Sequence, residues 1–401
     1  MIIPKSDFRP DPARAIYVNG TIDLDLIHKL TPEILKLQHD SREPITVYID
    51  SPGGRLDYMF ALLRLLKAPT QDYGVPCGLI TVVTRKAASA AADLLSAGTY
   101  AIAYPDSVIL FHGGRLSEDK PLTAERLSFL SELIRLTNEG SAMGLAREIE
   151  YRFMFRFVSM RGSFAAVRQK HDNNDISDLD CFLEVISANL SRSAKQVLQA
   201  ARERYARYNL LVEHVVKATK KALEKRTELE KEAAQIKAIV AFEVKQNKAD
   251  PTWSFHEGGV NRLIDDFLLF REYQGLAGSG RFQAWCSKFG FFMLAPEEKP
   301  EIKALPEEER RQRLIEKVGP SLQPIWSFFV ALCYALQRGE NELSATDAYW
   351  LGLVDEVFGD AELRNLREIY EHQPDAQLEA DGEKAKAASA GGEVAEPAAG
   401  S

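Results

Sequence analysis

The chain has 401 residues, of which 45% are apolar and 27% are charged, and its formal net charge is −8 at pH 7. This length exceeds the range of about 100–200 residues for one domain, so we expect two structural units, each large enough for a hydrophobic core. The acidic balance argues against general binding of the whole chain to nucleic acid or to an anionic membrane surface.

From residue 15 to residue 112 the sequence alternates between predicted strands and predicted helices. Short β-branched or aliphatic runs predict strands at residues 15–18, 45–49, 79–83, 100–103 and 108–111. Amphipathic stretches between them predict helices at residues 25–39, 57–66 and 89–97. Thr31-Pro32-Glu33 predicts a helix start, with Thr31 as the cap. Strands separated by helices of this length indicate parallel βαβ units.

Beyond residue 115 the pattern becomes mainly helical. Residues 123–137 and 142–158 predict two helices. Residues 191–248 contain no proline or glycine and carry 14 Lys or Arg against 7 Asp or Glu, which predicts one long basic helix or a helical hairpin. This basic surface is either a solvated helical face or an arm that binds nucleic acid or a partner.

The remaining segments have different compositions. Residues 253–292 are rich in aromatic residues and glycine and must pack against another part of the protein, and residues 325–336 predict an apolar helix. Residues 373–401 are rich in Ala, Gly and Glu, and we expect them to be a disordered tail.

The cysteines and the N-terminus indicate the compartment. Four cysteines lie far apart without a CxxC pair, so we expect small buried apolar residues and no zinc site or disulfide; they are Cys77, Cys181, Cys286 and Cys333. Residues 1–7 lack the apolar core of a signal peptide, and no run of about 18 apolar residues follows. We therefore expect a cytoplasmic protein with no membrane segment, metal or cofactor.

Three neighbouring features predict a hydrolytic serine site. Ser89 lies in a stretch of small residues at a predicted turn from strand to helix, and His112 ends the next apolar run. A serine hydroxyl becomes nucleophilic when an adjacent base takes its proton. Gly53 and Gly54 end another strand, where a glycine can offer an unobstructed backbone N–H to an oxyanion.

Five segments of the chain follow the order of a known family. They are Arg14-Ala15-Ile16-Tyr17-Val18-Asn19-Gly20, Ile49-Asp50-Ser51-Pro52-Gly53-Gly54, Ala87-Ala88-Ser89 with Leu94-Leu95-Ser96-Ala97-Gly98, Pro105-Asp106-Ser107-Val108-Ile109-Leu110-Phe111-His112, and Leu343-Ser344-Ala345-Thr346-Asp347-Ala348 with Gly352-Leu353-Val354-Asp355-Glu356-Val357. In this order they resemble the Clp protease proteolytic subunits, the ClpP-like serine peptidases.

The resemblance implies an α/β fold of the ClpP/crotonase type, made of stacked βαβ units with a mainly helical insertion. Residues 1–114 would form the N-terminal part of the core, residues 115–339 the insertion, and residues 340–372 the closing segment of the core.

The resemblance also implies a role for each site residue. Ser89 would be the nucleophile, His112 the general base, and Gly54 and Ala90 the donors of the oxyanion-hole N–H groups. The orienting acid would be Glu340, where the family has aspartate. The alternatives without a catalytic role are a helix N-cap for Ser89, a core histidine for His112 and a solvated loop carboxylate for Glu340.

Two aspartates of the closing segment are expected to have other roles. Asp355 lies in the Gly-Leu-Val-Asp motif, and we interpret it as structural. Asp347 is expected on a helix surface.

The implied function is a serine endopeptidase that cleaves unfolded polypeptide through an acyl-enzyme as a homo-oligomer. The sequence has no GxxxxGK[ST] phosphate-binding pattern, so any ATP-driven unfolding would need a separate AAA+ unfoldase.

Three alternatives remain. A catalytically silent scaffold or regulatory subunit is suggested by Glu340 and by Arg85 and Lys86, which stand where the family usually has glycine and its neighbour. Lys86 as the base of a Ser-Lys dyad is weaker, because His112 already fills that role. A crotonase-type acyl-CoA enzyme has little use for a serine–histidine pair.

Overall fold

The computed structural model describes residues 8–69, 74–115, 123–171, 175–219, 228–249 and 280–363. Its strands are β1 (Ala15–Asn19), β2 (Ile45–Ser51), β3 (Leu79–Ala88), β4 (Tyr100–Ala103), β5 (Val108–His112), β6 (Glu340–Ser344) and β7 (Glu356–Val357). Its helices are α1 (Leu24–Asp40), α2 (Leu56–Leu66), α3 (Ala90–Ser96), α4 (Ala124–Met160), α5 (Phe164–Lys170), α6 (Asp178–Asn189), α7 (Arg192–Thr219), α8 (Glu228–Ala249), α9 (Gly280–Met293), α10 (Lys299–Ala304), α11 (Glu307–Leu336) and α12 (Ala345–Trp350).

The strands form one mixed sheet whose longest member, β3, has two neighbours on the same side. The order is β1-β2-β3-β4-β7, and these strands are parallel. Residues 80–83 of β3 pair with β4, whereas residues 86–88 pair with β5, and β6 adds antiparallel to β5. The predicted α/β class with parallel βαβ units is therefore confirmed, together with a helical segment between β5 and β6.

Helix α1 begins at Leu24, beside the predicted residue 25 and well before the cap predicted at Thr31. Asp23 caps it, and its carboxylate accepts a hydrogen bond from Leu26 N at 3.0 Å. Pro32 lies inside the helix, and Thr31 Oγ1 donates to Ile27 O at 2.7 Å. The predicted start at Thr31 is wrong, because the upstream aspartate cap initiates the helix about two turns before the proline.

The two helices predicted at residues 123–137 and 142–158 are one continuous helix, α4, of 37 residues. Gly140 lies inside it with open space around its Cα. A glycine in a helix interior lowers the stability of the helix by only about 1 kcal/mol relative to alanine. The burial of side chains on either side of Gly140 offsets this loss. These side chains include Leu130 before the glycine and Phe153 after it.

The basic segment folds as two packed helices within its described parts. His214 of α7 and Phe242 of α8 have ring centroids 5.4 Å apart. In one straight helix these residues would lie about 42 Å apart, so the hairpin alternative holds. Helix α7 also packs on α11, where Tyr205 meets Phe328 edge to face at 6.2 Å.

One hydrophobic cluster joins the sheet to the helical segment. It contains Ile16 of β1, Phe153 of α4 and Trp326 of α11, all nearly or fully buried. All four cysteines are buried and free, as expected. The division of the chain into core, insertion and closing segment stays a prediction.

Buried polar contacts tie the helical segment to the closing segment. Asp347 is only 2% exposed and accepts hydrogen bonds from Ser191 N at 2.8 Å and Ser344 Oγ at 2.8 Å. Its predicted surface position is therefore wrong, because the carboxylate accepts hydrogen bonds from Ser344, the N-cap of α12, and also from Ser191 at the start of α7. Asp355 is fully buried and structural, as interpreted: it accepts from Ala101 N at 2.8 Å and pairs with Arg152 Nε at 2.6 Å.

Some predictions fall outside the described ranges. The predicted tail at residues 373–401 and most of the aromatic stretch at residues 253–292 lie there. Among the helices that are described, none has the length and apolar character needed to cross a membrane.

Candidate active site

Ser89 occupies a strained turn between β3 and α3. Its φ is +55° and its ψ is −129°, and it is the one non-glycine residue with positive φ in the described ranges. Its N–H donates to Leu110 O at 2.8 Å, which ties the turn to β5. The hydroxyl makes no capping hydrogen bond to α3, so the structure does not use Ser89 as a side-chain N-cap. Strain of this kind, about 1–3 kcal/mol, is typical of functional positions.

The glycine turn after β2 lies against the backbone of Ser89. Gly53 has φ +97°, and a Cβ there would lie 2.4 Å from Ala88 O and 2.7 Å from Ser89 Cβ. A Cβ on Gly54 would lie 2.2 Å from Ile22 O. Both positions therefore require glycine for close backbone approach.

Hydrogen bonds fix this glycine turn in place. Ser51 Oγ donates to Gly20 O at 2.5 Å and accepts from Gly53 N at 3.0 Å. Ile22 N donates to Gly53 O at 2.8 Å. The turn is thus held by β1 and its following loop before any substrate binds.

His112 reaches the same place because β5 pairs with the end of β3. Ala88 and Leu110 are register partners, so Ser89 and His112 leave parallel neighbouring strands at one edge of the sheet. The Nδ1 atom of His112 lies 2.6 Å from Gly113 O. A carbonyl oxygen can only accept, so this contact assigns the proton to Nδ1 and leaves Nε2 as the acceptor.

Ser89, His112 and Gly54 line one cleft of about 330 Å³. The cleft is also lined by Arg55, Leu56, Asp57, Asp93, Phe111, Gly113, Gly114, Arg115, Ile134, Thr137, Ser141 and Gln337. No hydrogen bond joins Ser89 Oγ to His112 among the contacts described, and catalytic hydrogen bonds of this type often tighten only when substrate binds.

Ala90 lies next to Ser89, but its side chain is buried and does not line the cleft. It is the first residue of α3, and the N–H groups of the first helical turn have no partner within the helix.

Glu340 lies directly across β6 from His112, since the two are register partners. Its carboxylate forms an ion pair with Arg115, and both side chains are more than half exposed. The structure thus brings the predicted acid beside the histidine but directs its carboxylate to the arginine.

Arg85 and Lys86 do not line the cleft. Arg85 Nε donates to Asp50 Oδ2 at 3.0 Å, and its side chain is 76% exposed. The two cations therefore leave the cleft open.

Two polar groups of the cleft, Asp93 and Gln337, were not predicted from the sequence. Asp93 could have been, because it follows Ser89 by four residues, and in the helix predicted at residues 89–97 this spacing places both on one face. Gln337 Nε2 donates to Asp93 Oδ1 at 3.0 Å. Burial raises the pKa of Asp93 to about 7, and the hydrogen bond from Gln337 opposes this shift.

The helical segment supplies one wall of the cleft. Ile134, Thr137 and Ser141 of α4 line it, and Asn138 Oδ1 accepts from Gly114 N at 2.5 Å. Gln337 follows the end of α11. The site therefore combines the sheet edge with side chains from the segment between β5 and β6.

Part of the chain is similar to a known protein family. Residues 11–122 match the family model for Clp protease. These residues contain Ser89, His112 and the glycine turn. The resemblance to Clp proteases is thereby confirmed for this part, and the rest of the chain lies outside the matched range.

Curated relatives point to the same family. The ATP-dependent Clp protease proteolytic subunit 3 of Streptomyces avermitilis is 33% identical over 122 residues, or 28% of this chain and 52% of the relative. Proteolytic subunit 2 of Prochlorococcus marinus is 31% identical over 130 residues, or 30% and 62%. Proteolytic subunit 2 of Mycobacterium bovis is 30% identical over 148 residues, or 34% and 66%. The chain spans about half the length of the first relatives it matches.

Proposed function

We propose that the protein is a serine endopeptidase of the Clp protease type. The observation that carries the proposal is the cleft in which Ser89, His112 and Gly54 meet, within the part of the chain that matches the family. Ser89 lies at a strained strand-to-helix turn with its hydroxyl free of capping bonds. A free hydroxyl in the same cleft as a histidine supports nucleophilic serine catalysis.

Cleavage follows the general chemistry of acyl transfer. Nε2 of His112 takes the hydroxyl proton while Ser89 Oγ attacks the scissile carbonyl carbon. The imidazolium then gives that proton to the leaving amine as the C–N bond breaks, which leaves an ester on Ser89. Water, deprotonated by His112, attacks the ester and releases the acid and free Ser89.

Gly54 and Ala90 donate backbone N–H groups to the oxyanion in this proposal. The turn of Gly54 is fixed by backbone contacts with Ile22, so its N–H needs little reorganisation during the reaction. One oxyanion donor is worth about 2.7–4 kcal/mol of transition-state stabilisation.

Glu340 is the acid that orients His112 in this proposal. Its register partner is His112, so a rotation of the side chain away from Arg115 brings it toward the imidazole. In the described conformation Gly113 O holds Nδ1 of His112, and Arg115 holds the carboxylate of Glu340. Glu340 can therefore orient His112 only when both contacts are released.

The substrate we propose is unfolded polypeptide. The relatives are named as ATP-dependent proteolytic subunits, and we propose that a separate AAA+ unfoldase delivers the substrate here. Four free, buried cysteines favour a reducing compartment, and we propose the cytoplasm.

We further propose that the protein is a homo-oligomer that uses α4. The first half of this helix exposes large apolar side chains, with Leu127 and Phe129 both 57% exposed and Leu136 47% exposed. Helix α7 packs instead against α8 and α11 of the same chain. Light scattering should show an oligomer for the full chain and a smaller particle for Phe129→Lys.

A fluorophosphonate probe tests the proposed activity. The probe should label the full chain, and Ser89→Ala should abolish labelling. Ser141→Ala removes another hydroxyl of the same cleft and is the matched control, which should still be labelled. Peptide hydrolysis should fall to background in Ser89→Ala, a loss of up to about 10⁶-fold.

A catalytically silent subunit is the second candidate. It is favoured by the missing hydrogen bond between Ser89 and His112 and by the ion pair that holds Glu340 on Arg115. Equal labelling of the wild type and Ser89→Ala, with no cleavage of a fluorogenic peptide by either, would support this candidate over the peptidase.

A further inference from the structure

Among the carboxyl and guanidinium groups that line the described cleft, the carboxyl group of Asp93 has no ion-pair partner. Arg55 pairs with Asp57 at 2.7 Å, and Arg115 pairs with Glu340. The side chain of Asp93 is half-buried, and its described partner is the neutral amide of Gln337. Among the described residues that line the cleft, the Asp93 carboxyl group has no cationic partner.

A cation that enters the cleft would correct this imbalance. Burial raises the pKa of Asp93 to about 7, because the ionised form is poorly solvated there. A ligand cation beside the carboxylate favours the ionised form and makes a charge-assisted hydrogen bond.

The walls of the cleft fit a long side chain with a cationic end. Leu56, Phe111 and Ile134 line the cleft and offer apolar contact for a methylene chain. Lys and Arg side chains combine such an apolar stem with a charged head. A volume of about 330 Å³ is at the low end for ligand pockets, as expected for one side chain beside a scissile bond.

We propose that Asp93 is a specificity residue that selects substrates with an arginine or lysine side chain next to the scissile bond. The proposal rests on the peptidase function and names its substrate class. Asp93 lies in the first turn of α3, which begins directly after Ser89, and both residues line the same cleft, so a side chain bound at Asp93 belongs to a residue near the attacked carbonyl.

Paired substrates test the role of the charge. Two fluorogenic peptides that differ only in arginine or citrulline before the cleaved bond have the same shape, but citrulline is neutral. The wild type should cleave the arginine peptide with a kcat/KM at least roughly tenfold higher. Asp93→Asn keeps the shape and an acceptor for Gln337, and should bring the ratio near one.

Asp57→Asn is the matched control. Asp57 is also a carboxylate of this cleft, but it is exposed and already paired with Arg55. This variant should keep the arginine preference. Equal loss of preference in both variants would show a general electrostatic effect and would overturn the role of Asp93.

The preference should also depend on pH. Asp93 loses its proton as the pH rises through about 7, so the arginine-to-citrulline ratio should rise between pH 6 and pH 8. The other titratable or charged groups that line the cleft are Arg55, Asp57, His112 and Arg115. A change in the charge of these groups acts on the arginine peptide in Asp93→Asn as well, so the part of the rise that is due to Asp93 is the difference between the two proteins. The ratio should rise less in Asp93→Asn than in the wild type, and an equal rise would overturn the role of Asp93.

Binding without turnover separates this proposal from the peptidase function. Butylguanidinium should bind the full chain in calorimetry, and binding should weaken at least roughly tenfold in Asp93→Asn. Fluorophosphonate labelling with a ratio near one in the wild type would overturn the specificity role alone. Absence of labelling with retained, Asp93-dependent butylguanidinium binding would overturn the peptidase and leave a cation site.

Discussion

Two backbone conformations at the residue level define the proposed catalytic centre. Ser89 has φ +55° although it carries a side chain, and Gly53 has φ +97° where only glycine can approach Ala88 so closely. The two turns contact each other, so each limits the conformations of the other. The strain at Ser89 is held by its hydrogen bond to Leu110 and by this contact.

Gly53→Ala should lower both stability and activity. The new Cβ would collide with Ala88 O and Ser89 Cβ, and a positive φ adds about 1–3 kcal/mol for a non-glycine residue. Gly359→Ala is the control, because it has φ +82° and nothing within 4 Å of the added Cβ. Urea unfolding should show a loss in both variants. Only Gly53→Ala should also lose labelling by the probe, and normal labelling of that variant would refute the contact.

Glu340→Gln should lower kcat/KM, because a neutral amide cannot stabilise the imidazolium of His112. The loss should lie between about tenfold and the roughly 10⁴-fold seen when a triad acid is neutralised. Arg115→Gln should leave kcat/KM unchanged or raise it, because the carboxylate is freed from its ion pair. Unchanged activity in Glu340→Gln would show that Gly113 O alone orients the histidine.

At the scale of elements, the sequence predicted the parts of the site and the structure supplied their arrangement. The strands at residues 45–49 and 108–111 were predicted close to their ends from β-branched runs, but the strand predicted at residues 79–83 continues to Ala88. The double pairing of β3 could not be predicted, because no local pattern shows that one strand changes its neighbour halfway. Gln337 and Ile134 were missed for the same reason, since only tertiary packing brings α11 and α4 to the cleft.

Arg152 connects α4 to the helix that begins after Ser89. It pairs with buried Asp355 and donates to Ser96 O at 2.7 Å at the end of α3. Arg152→Met should cost about 3–5 kcal/mol in urea unfolding, because Asp355 stays buried without its cation. Arg313→Ala removes an exposed pair with Glu316 and should cost less than about 1 kcal/mol. Similar losses in both would contradict the role of the buried pair.

At the scale of the whole molecule, one hydrophobic cluster predicts cooperative unfolding. Cys77 near the sheet and Cys181, Cys286 and Cys333 in the helical segment all belong to it. Burial raises the pKa of Cys286 to about 12 and that of Cys333 further, so the native thiols should resist iodoacetamide. All four should become reactive at one urea concentration. Earlier reaction of Cys286 and Cys333 would show that the helical segment unfolds by itself.

The central claim is that Ser89 and His112 act together on one carbonyl group. A peptidyl chloromethyl ketone tests it, because Ser89 Oγ adds to the ketone while the methylene carbon alkylates His112 Nε2 and chloride leaves. Mass spectrometry of the full chain should show one inhibitor per chain, mapped to His112. Ser89→Ala should slow this alkylation strongly. Alkylation at other residues, or an equal rate in Ser89→Ala, would contradict the account.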